Sequence, residues 1–279
     1  MVIRVNTIED PRLGEYREIR DKPLVDRGLF LAEGEHVVMR LLRAAGAGEV
    51  RVRSVLLAEK RVGEVLPFVP AGVPVFVLSG EEVSRLLGFA FHSGMIACGV
   101  VPATARLEHV VPRTGRARVV VLPEIGSAEN LGTLIRLSAG MGADAVVLGE
   151  RCTDPFLRRT VRVSMGTVFG VPLVRSGDIV RDLVRMRTEM GIETVATVLH
   201  PGAEVLGSLA APDRVAVAFG SEAQGLTQAE VAACGRSVTI PMTAGVDSLN
   251  VGVAAGIAMW ELFGRGRAGL PVVPASPKN

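Results

Sequence analysis

The sequence predicts an α/β protein of two unequal units, the larger one built on a mostly parallel sheet. Three observations carry this expectation. Valine-rich runs alternate with helix-patterned segments from residue 117 to residue 263, which is the pattern of a parallel sheet covered on both faces. A stretch rich in proline and charge, VPATARLEHVVPRTGRAR (101–118), interrupts the pattern with weak periodicity. Finally, 279 residues with 48% hydrophobic and 22% charged composition suffice for one large core or two modest ones and exclude wholesale disorder.

The elements follow in order. Residues 28–101 read as a first α/β unit. It has a helix over 32–45 with Val37, Val38, Leu41 and Leu42 on one stripe, strands at 52–58 and 73–78, a short helix at 81–87 and a strand at 95–101. The first unit is bounded at 1–105, with 106–116 as linker and 117–267 as the second unit. In the second unit strands are expected at 117–122, 144–149, 171–175, 193–199, 214–220 and 236–241. Helices are expected at 131–141, 156–164, 178–190, 227–233 and 249–263. The last residues, within 268–279, read as an untethered tail.

Composition removes several function classes. No run of about 18 apolar residues free of charge suggests a membrane span, and MVIRVNTIEDPRLGEYREIRD lacks the apolar core and cleavage site of a secretion signal. Cys98, Cys152 and Cys234 fit neither a disulfide framework nor a zinc spacing, so a cytoplasmic protein is expected. The net charge of +2 is small, yet residues 151–187 hold eight arginines against Asp154, Asp178 and Asp182, a local +5. Such a patch suits phosphates, and it equally suits a solvated helix face.

Familiar site motifs are missing. The first strand of the second unit is followed by PEIGSAENLG, which is not a dinucleotide fingerprint, and no phosphate-loop, zinc-protease or nucleophile-elbow motif occurs. His36, His92, His109 and His200 have no metal spacing, so no metal is expected. Three segments at strand ends remain, where open parallel sheets bind ligands. In NLGTLIRLSAGMGA, Asn130 is a candidate N-cap and Gly132 a tight entry turn; Arg136 lies off the stripe of Leu134, Leu137, Ser138 and Met141, as an ordinary surface arginine would. In FGSEAQGL, Gly220 permits close approach to a ligand and Glu222 offers a carboxylate, although a strand-to-helix turn would use the same residues. In IPMTAGVDSLNVGVAAGIAMWE, Ser248 is a candidate cap for a final helix crowded with small residues, and Asn250 is either a functional amide or one paired locally.

In this order and spacing the three segments resemble the SpoU (TrmH-like) branch of the SPOUT RNA methyltransferases, over residues 117–263. FLAEGEHVVMRLL and FHSGMIACGV are similar to the L30e-like substrate-binding domain often fused to it. The resemblance implies a parallel sheet with a C-terminal trefoil knot and S-adenosylmethionine held around Gly220, Ile240 and Leu249, with Leu199 and Met242 beside them. It further implies a homodimer and methyl transfer to a ribose 2′-hydroxyl of ribosomal or transfer RNA. Arg136 then matches the catalytic arginine, and Asn130, Glu222, Ser248 and Asn250 match the polar positions around it. A non-catalytic RNA-binding protein on the same fold and a base methyltransferase stay open at this stage. The small residues Gly252, Ala255, Gly256 and Met259 suggest a flat helix face for the second subunit, or a face that packs on the chain itself.

Overall fold

Two sheets organise the chain in the computed structural model, which describes residues 1–17, 21–88, 91–243 and 248–264, without the side chains of 21–23. The expected tail, 268–279, and the end of the second unit, 265–267, lie outside the described residues. The first unit runs β1 (Val2–Arg4), α1 (Gly14–Arg17), α2 (Asp21–Asp26), β2 (Leu29–Glu33), α3 (Glu35–Gly46), β3 (Arg51–Ala58), α4 (Val62–Val65), β4 (Val75–Leu78), α5 (Gly80–Leu87) and β5 (Met95–Val100). Its sheet has the order β1-β4-β3-β5-β2, and β5 alone runs against its neighbours.

Local chemistry fixes the boundaries here. The helix expected from residue 32 begins only at Glu35, because Gly34 (φ 89°, ψ 153°) adopts a backbone conformation that suits glycine and breaks helical geometry. Ala32 and Glu33 instead close β2. Helix α5 starts in a capping box: the Glu82 amide donates to Ser79 Oγ while the Ser79 amide donates to Glu82 Oε2. The N-terminal residues, without assigned elements in the sequence reading, add an edge strand and lay Leu13, Tyr16 and Leu24 over one face of the sheet. The fully buried Tyr16 hydroxyl bonds Ser54 Oγ at 2.6 Å, as a buried phenol requires.

The second unit continues with α6 (Leu107–Val110), β6 (Ala117–Leu122), α7 (Ala128–Gly140), β7 (Ala145–Leu148), α8 (Arg158–Val163), β8 (Leu173–Arg175), α9 (Ile179–Thr188), β9 (Glu193–Thr197), β10 (Glu204–Val205), β11 (Arg214–Ala218), α10 (Gln228–Ala233), β12 (Arg236–Thr239) and α11 (Val251–Gly264). All seven strands are parallel, in the order β10-β12-β9-β11-β6-β7-β8. The segment expected as linker is docked: Leu107 and Val111 are buried with the sheet residues Val119 and Val121, and the Ala105 amide donates to Leu173 O at 3.0 Å. Its single turn is too short to display a periodicity.

Gly132 corrects a second expectation. It sits inside α7, where an added Cβ would lie 2.8 Å from Val163 Cβ and 2.9 Å from Thr160 O, so it lets α7 and α8 touch rather than turning a loop. The units meet at α8: Phe30 of β2 lies 5.3 Å from each of Phe156 and Phe169, and the buried Glu33 accepts from Arg158 at 3.1 Å and Arg162 at 3.0 Å. On α11, Gly252, Ala255 and Met259 are buried in the chain's own core, and a Cβ on Gly252 would stand 2.9 Å from Thr133 Cγ2. The small-residue face therefore packs on α7. The exposed stripe is Val253 (53% exposed), Ile257 (39%) and Trp260 (61%).

Candidate functional site

Three neighbouring strands, β12, β9 and β11, end at one edge of the larger sheet, and the loops that follow them wall a cavity of about 710 Å³. That volume is typical of a small-molecule site, and its place beyond the strands' carboxyl ends is where α/β sheets bind ligands. Leu199 follows β9, Gly220 and Glu222 follow β11, and Ile240 and Met242 follow β12; Ser248, Leu249 and Asn250 enter just before α11, and Asn130 enters from α7. Phe219, Leu206, Ala254 and Ala258 complete an apolar wall that the motifs alone did not single out. Phe219, Ala254 and Ala258 stand within the motif segments, which was the available signal, whereas Leu206, between β10 and β11, had none.

A directed chain of hydrogen bonds crosses the mouth. Asn130 Nδ2 donates to Glu222 Oε1 at 2.7 Å, Asn250 Nδ2 donates to Asn130 Oδ1 at 3.2 Å, and the Gly252 amide donates to Asn250 Oδ1 at 2.9 Å. Each end dictates the direction. A backbone N–H can only donate and an ionised carboxylate can only accept, so both intervening amides have one workable orientation. The arrangement ties together residues 92 and 120 positions apart in the chain.

Several expectations change in detail. Asn130 is no N-cap: Ser127 caps α7, and its Oγ accepts from the Asn130 amide, which frees the Asn130 side chain for the cavity. Asn250, not Ser248, caps α11, because its Oδ1 takes the Gly252 amide while its carbonyl takes the Ala254 amide. Glu222 stands in the turn 221–225 rather than at the start of α10. Gly220 is required by the chain itself: a Cβ there would lie 2.0 Å from the Gly225 carbonyl carbon and 2.2 Å from Leu226 N. Arg136 is not among the cavity walls. It is exposed on α7, six residues beyond Asn130 or about 9 Å of helix rise, and its side chain makes no hydrogen bond or ion pair among the described residues.

The basic segment 151–187 also resolves differently. Six of its eight arginines meet carboxylates: Arg151 with Glu124, Arg158 and Arg162 with Glu33, Arg159 with Glu129, Arg175 with Asp154, and Arg185 with Glu108. Most of the local excess is therefore answered from other segments. Burial pushes the thiols of Cys98 and Cys234 up to about 12 and raises that of Cys152, so none is a ready thiolate nucleophile. Among the described residues no cluster of His, Cys, Asp and Glu could hold a metal ion, and no helix is long and apolar enough to cross a membrane.

Comparison with known proteins adds four findings. The sequence model of the SpoU rRNA Methylase family matches residues 117–260. An uncharacterized tRNA/rRNA methyltransferase of Mycobacterium tuberculosis is 34% identical over 96% of this chain and 93% of its own length. A 23S rRNA (guanosine(2553)-2′-O)-methyltransferase of Bacillus subtilis is 27% identical over 94% of this chain and 99% of its own. In fold, the chain is similar to the crystal structure of an AdoMet-bound rRNA methyltransferase from Sinorhizobium meliloti, with a TM-score of 0.82 at 24% identity over 96% of this chain and 99% of that one.

Proposed function

We propose, from the premise that this chain belongs to the SpoU rRNA Methylase family, that it is an S-adenosylmethionine-dependent RNA methyltransferase acting on a ribose 2′-hydroxyl. The observation that carries the reading is the directed chain Glu222–Asn130–Asn250 at the mouth of a cavity lined by polar and apolar groups in similar measure. The residues present fit the cofactor. Leu199, Phe219, Ile240, Leu249 and Ala258 offer apolar surface to an adenine ring and a thioether chain, and the tight Gly220 turn presents backbone along one side.

Bound S-adenosylmethionine supplies a methyl group already activated by a positive sulfonium. The chain's own task is to place the ribose in line with the methyl group; the new O–CH3 bond forms as S–CH3 breaks, the neutral thioether leaves, and the hydroxyl proton passes to water at the open mouth. Glu222, Asn130 and Asn250 form a fixed polar rim that holds the nucleotide at the mouth, with the Ser248 hydroxyl beside them. Guanidinium groups do not serve as bases in proteins, so the role of Arg136 is to orient the nucleotide and stabilise negative charge growing on the 2′-oxygen. No metal is needed for this chemistry.

Finer features belong to the same proposal. Ribosomal RNA is the preferred substrate class, supported by the activity of the Bacillus subtilis relative. Residues 117–267 form the catalytic unit with its C-terminal segment threaded as a trefoil knot, and 1–105 an L30e-like unit that grips RNA. The protein works in the cytoplasm as a homodimer joined through the exposed Val253–Ile257–Trp260 stripe of α11. Calorimetric titration with S-adenosylmethionine tests the core of the reading: one saturable site is expected, weakened by Gly220→Leu, and no binding at millimolar cofactor would reject it.

A further inference from the structure

We infer that Arg40 and Arg43 of α3, continuing from Arg136 of α7, form a phosphate-binding track that holds the RNA strand beside the nucleotide being methylated. The inference rests on the methyltransferase reading and names where the polynucleotide runs. A groove of about 440 Å³ lies between the C-terminal ends of α3 and α7, with Arg40, Arg43 and Glu49 on one side, Ala139 on the other and Thr167–Gly170 along its floor. Ala139 is one turn beyond Arg136, and residues three apart on a helix share a side. Nine residues put Ala139 half a turn round α7 from Asn130, and Arg136 lies on the exposed surface between them, so a strand leaving the cavity crosses α7 over Arg136 to reach the groove, about 14 Å of helix rise away, which a few nucleotides can span.

Charge singles out this surface. The neighbouring arginines of α8 are paired, Arg159 with Glu129 and Arg158 and Arg162 with Glu33, whereas the side chains of Arg43 and Arg136 make no hydrogen bond or ion pair among the described residues. Arg40 donates to the Met165 carbonyl at 2.8 Å, a contact that orients the guanidinium and leaves its charge uncompensated. Met165 is the one non-glycine described with positive φ (54°), followed by Gly166 at 74°; this left-handed pair ends α8 with its carbonyl turned toward Arg40. Strain held at such a place commonly serves a site. Glu49 is the single carboxylate on the groove wall, and it leans toward Gly170. An open groove with guanidinium groups along its rim matches the repeated phosphates of a strand, which arginine binds through its planar fork.

The test is binding of unmodified 23S rRNA transcript across a salt series, for the full chain and for Arg40→Gln/Arg43→Gln. Each lost phosphate contact flattens the salt dependence by about 0.7–0.9. The double variant should therefore flatten it by about 1.5, and Arg43→Gln alone, which removes no contact within the chain, by about half that. S-adenosylmethionine affinity should stay unchanged in both. As a control, Arg181→Gln/Arg187→Gln removes the same charge from α9 and should leave the slope near wild type. A wild-type slope in the groove variants, or an equal loss in the α9 control, overturns the track. Failure of the unmodified chain to bind the cofactor or RNA would instead strike the methyltransferase reading, and the track with it.

Discussion

The two sheets satisfy their polar groups in contrasting ways. In the five-stranded unit the bonds are mostly local: Ser79 and Glu82 cap α5 three residues apart, and Asp10 holds the Arg12 amide. At the carboxyl edge of the seven-stranded unit they reach across the chain, with Asn130 bonded to Glu222 and Asn250 from segments far away in sequence. Local bonds finish an element. Long-range bonds between exposed amides and a carboxylate at a cavity mouth order a surface that burial alone would leave loose. The contrast teaches where to look for chemistry: the first unit carries shape and charge, the second a preset polar rim.

Arg136→Ala is expected to produce the largest effect. Methyl transfer should fall by about 10²–10³-fold, the cost of removing one charge-stabilising group, with cofactor affinity within a few-fold by calorimetry. Arg136→Lys should fail as well, because an ammonium lacks the planar fork. Near-normal turnover in either variant would move the decisive group back to the rim. Next comes Glu33→Ala, which removes the buried carboxylate that Arg158 and Arg162 share at the junction of the units. Urea unfolding should show a loss of about 3 kcal/mol, at the low end for a broken buried pair because Arg162 is largely exposed. A loss confined to the first unit, with the second melting unchanged, would show that the sheets are less coupled than the shared aromatic contacts indicate.

Much of the fold was legible in the sequence. The valine runs of β6 and β7 are buried on both faces, so composition alone betrayed them, and β6 falls on the expected 117–122. What stayed hidden depended on partners elsewhere. Gly132 reads as a turn until Val163 and Thr160 are placed against it, and the arginines of 151–187 read as a free patch until Glu33, Glu108 and Glu129 arrive from other segments. The motif residues Asn130, Glu222 and Asn250 were named from their resemblance, but their directed bonding required the geometry. Caps were misplaced by two or three residues because Ser127, Asn130, Ser248 and Asn250 are all competent capping types.

Two smaller tests sharpen the contrast. Asn250→Ala removes a cap and a link of the rim together, so it should cost about 1 kcal/mol in thermal stability and reduce methyl transfer by roughly tenfold, a factor of ten in rate matching about 1.4 kcal/mol. Loss of stability without loss of rate would make Asn250 a cap only. The least change is expected from thiol alkylation. With Cys98 and Cys234 pushed up to about 12, both remain neutral thiols at pH 8 in the folded chain, and peptide mass spectrometry after brief iodoacetamide treatment should find them unmodified.

The central claim, that the rim at the carboxyl edge serves methyl transfer to ribose, meets its most direct test in the modified product. The chain is incubated with methyl-labelled S-adenosylmethionine and unmodified 23S rRNA transcript, and the RNA is digested to nucleosides for mass spectrometry. The account predicts label in a 2′-O-methyl nucleoside, lost in Arg136→Ala. Label on a base, or none despite bound cofactor and RNA, would contradict it.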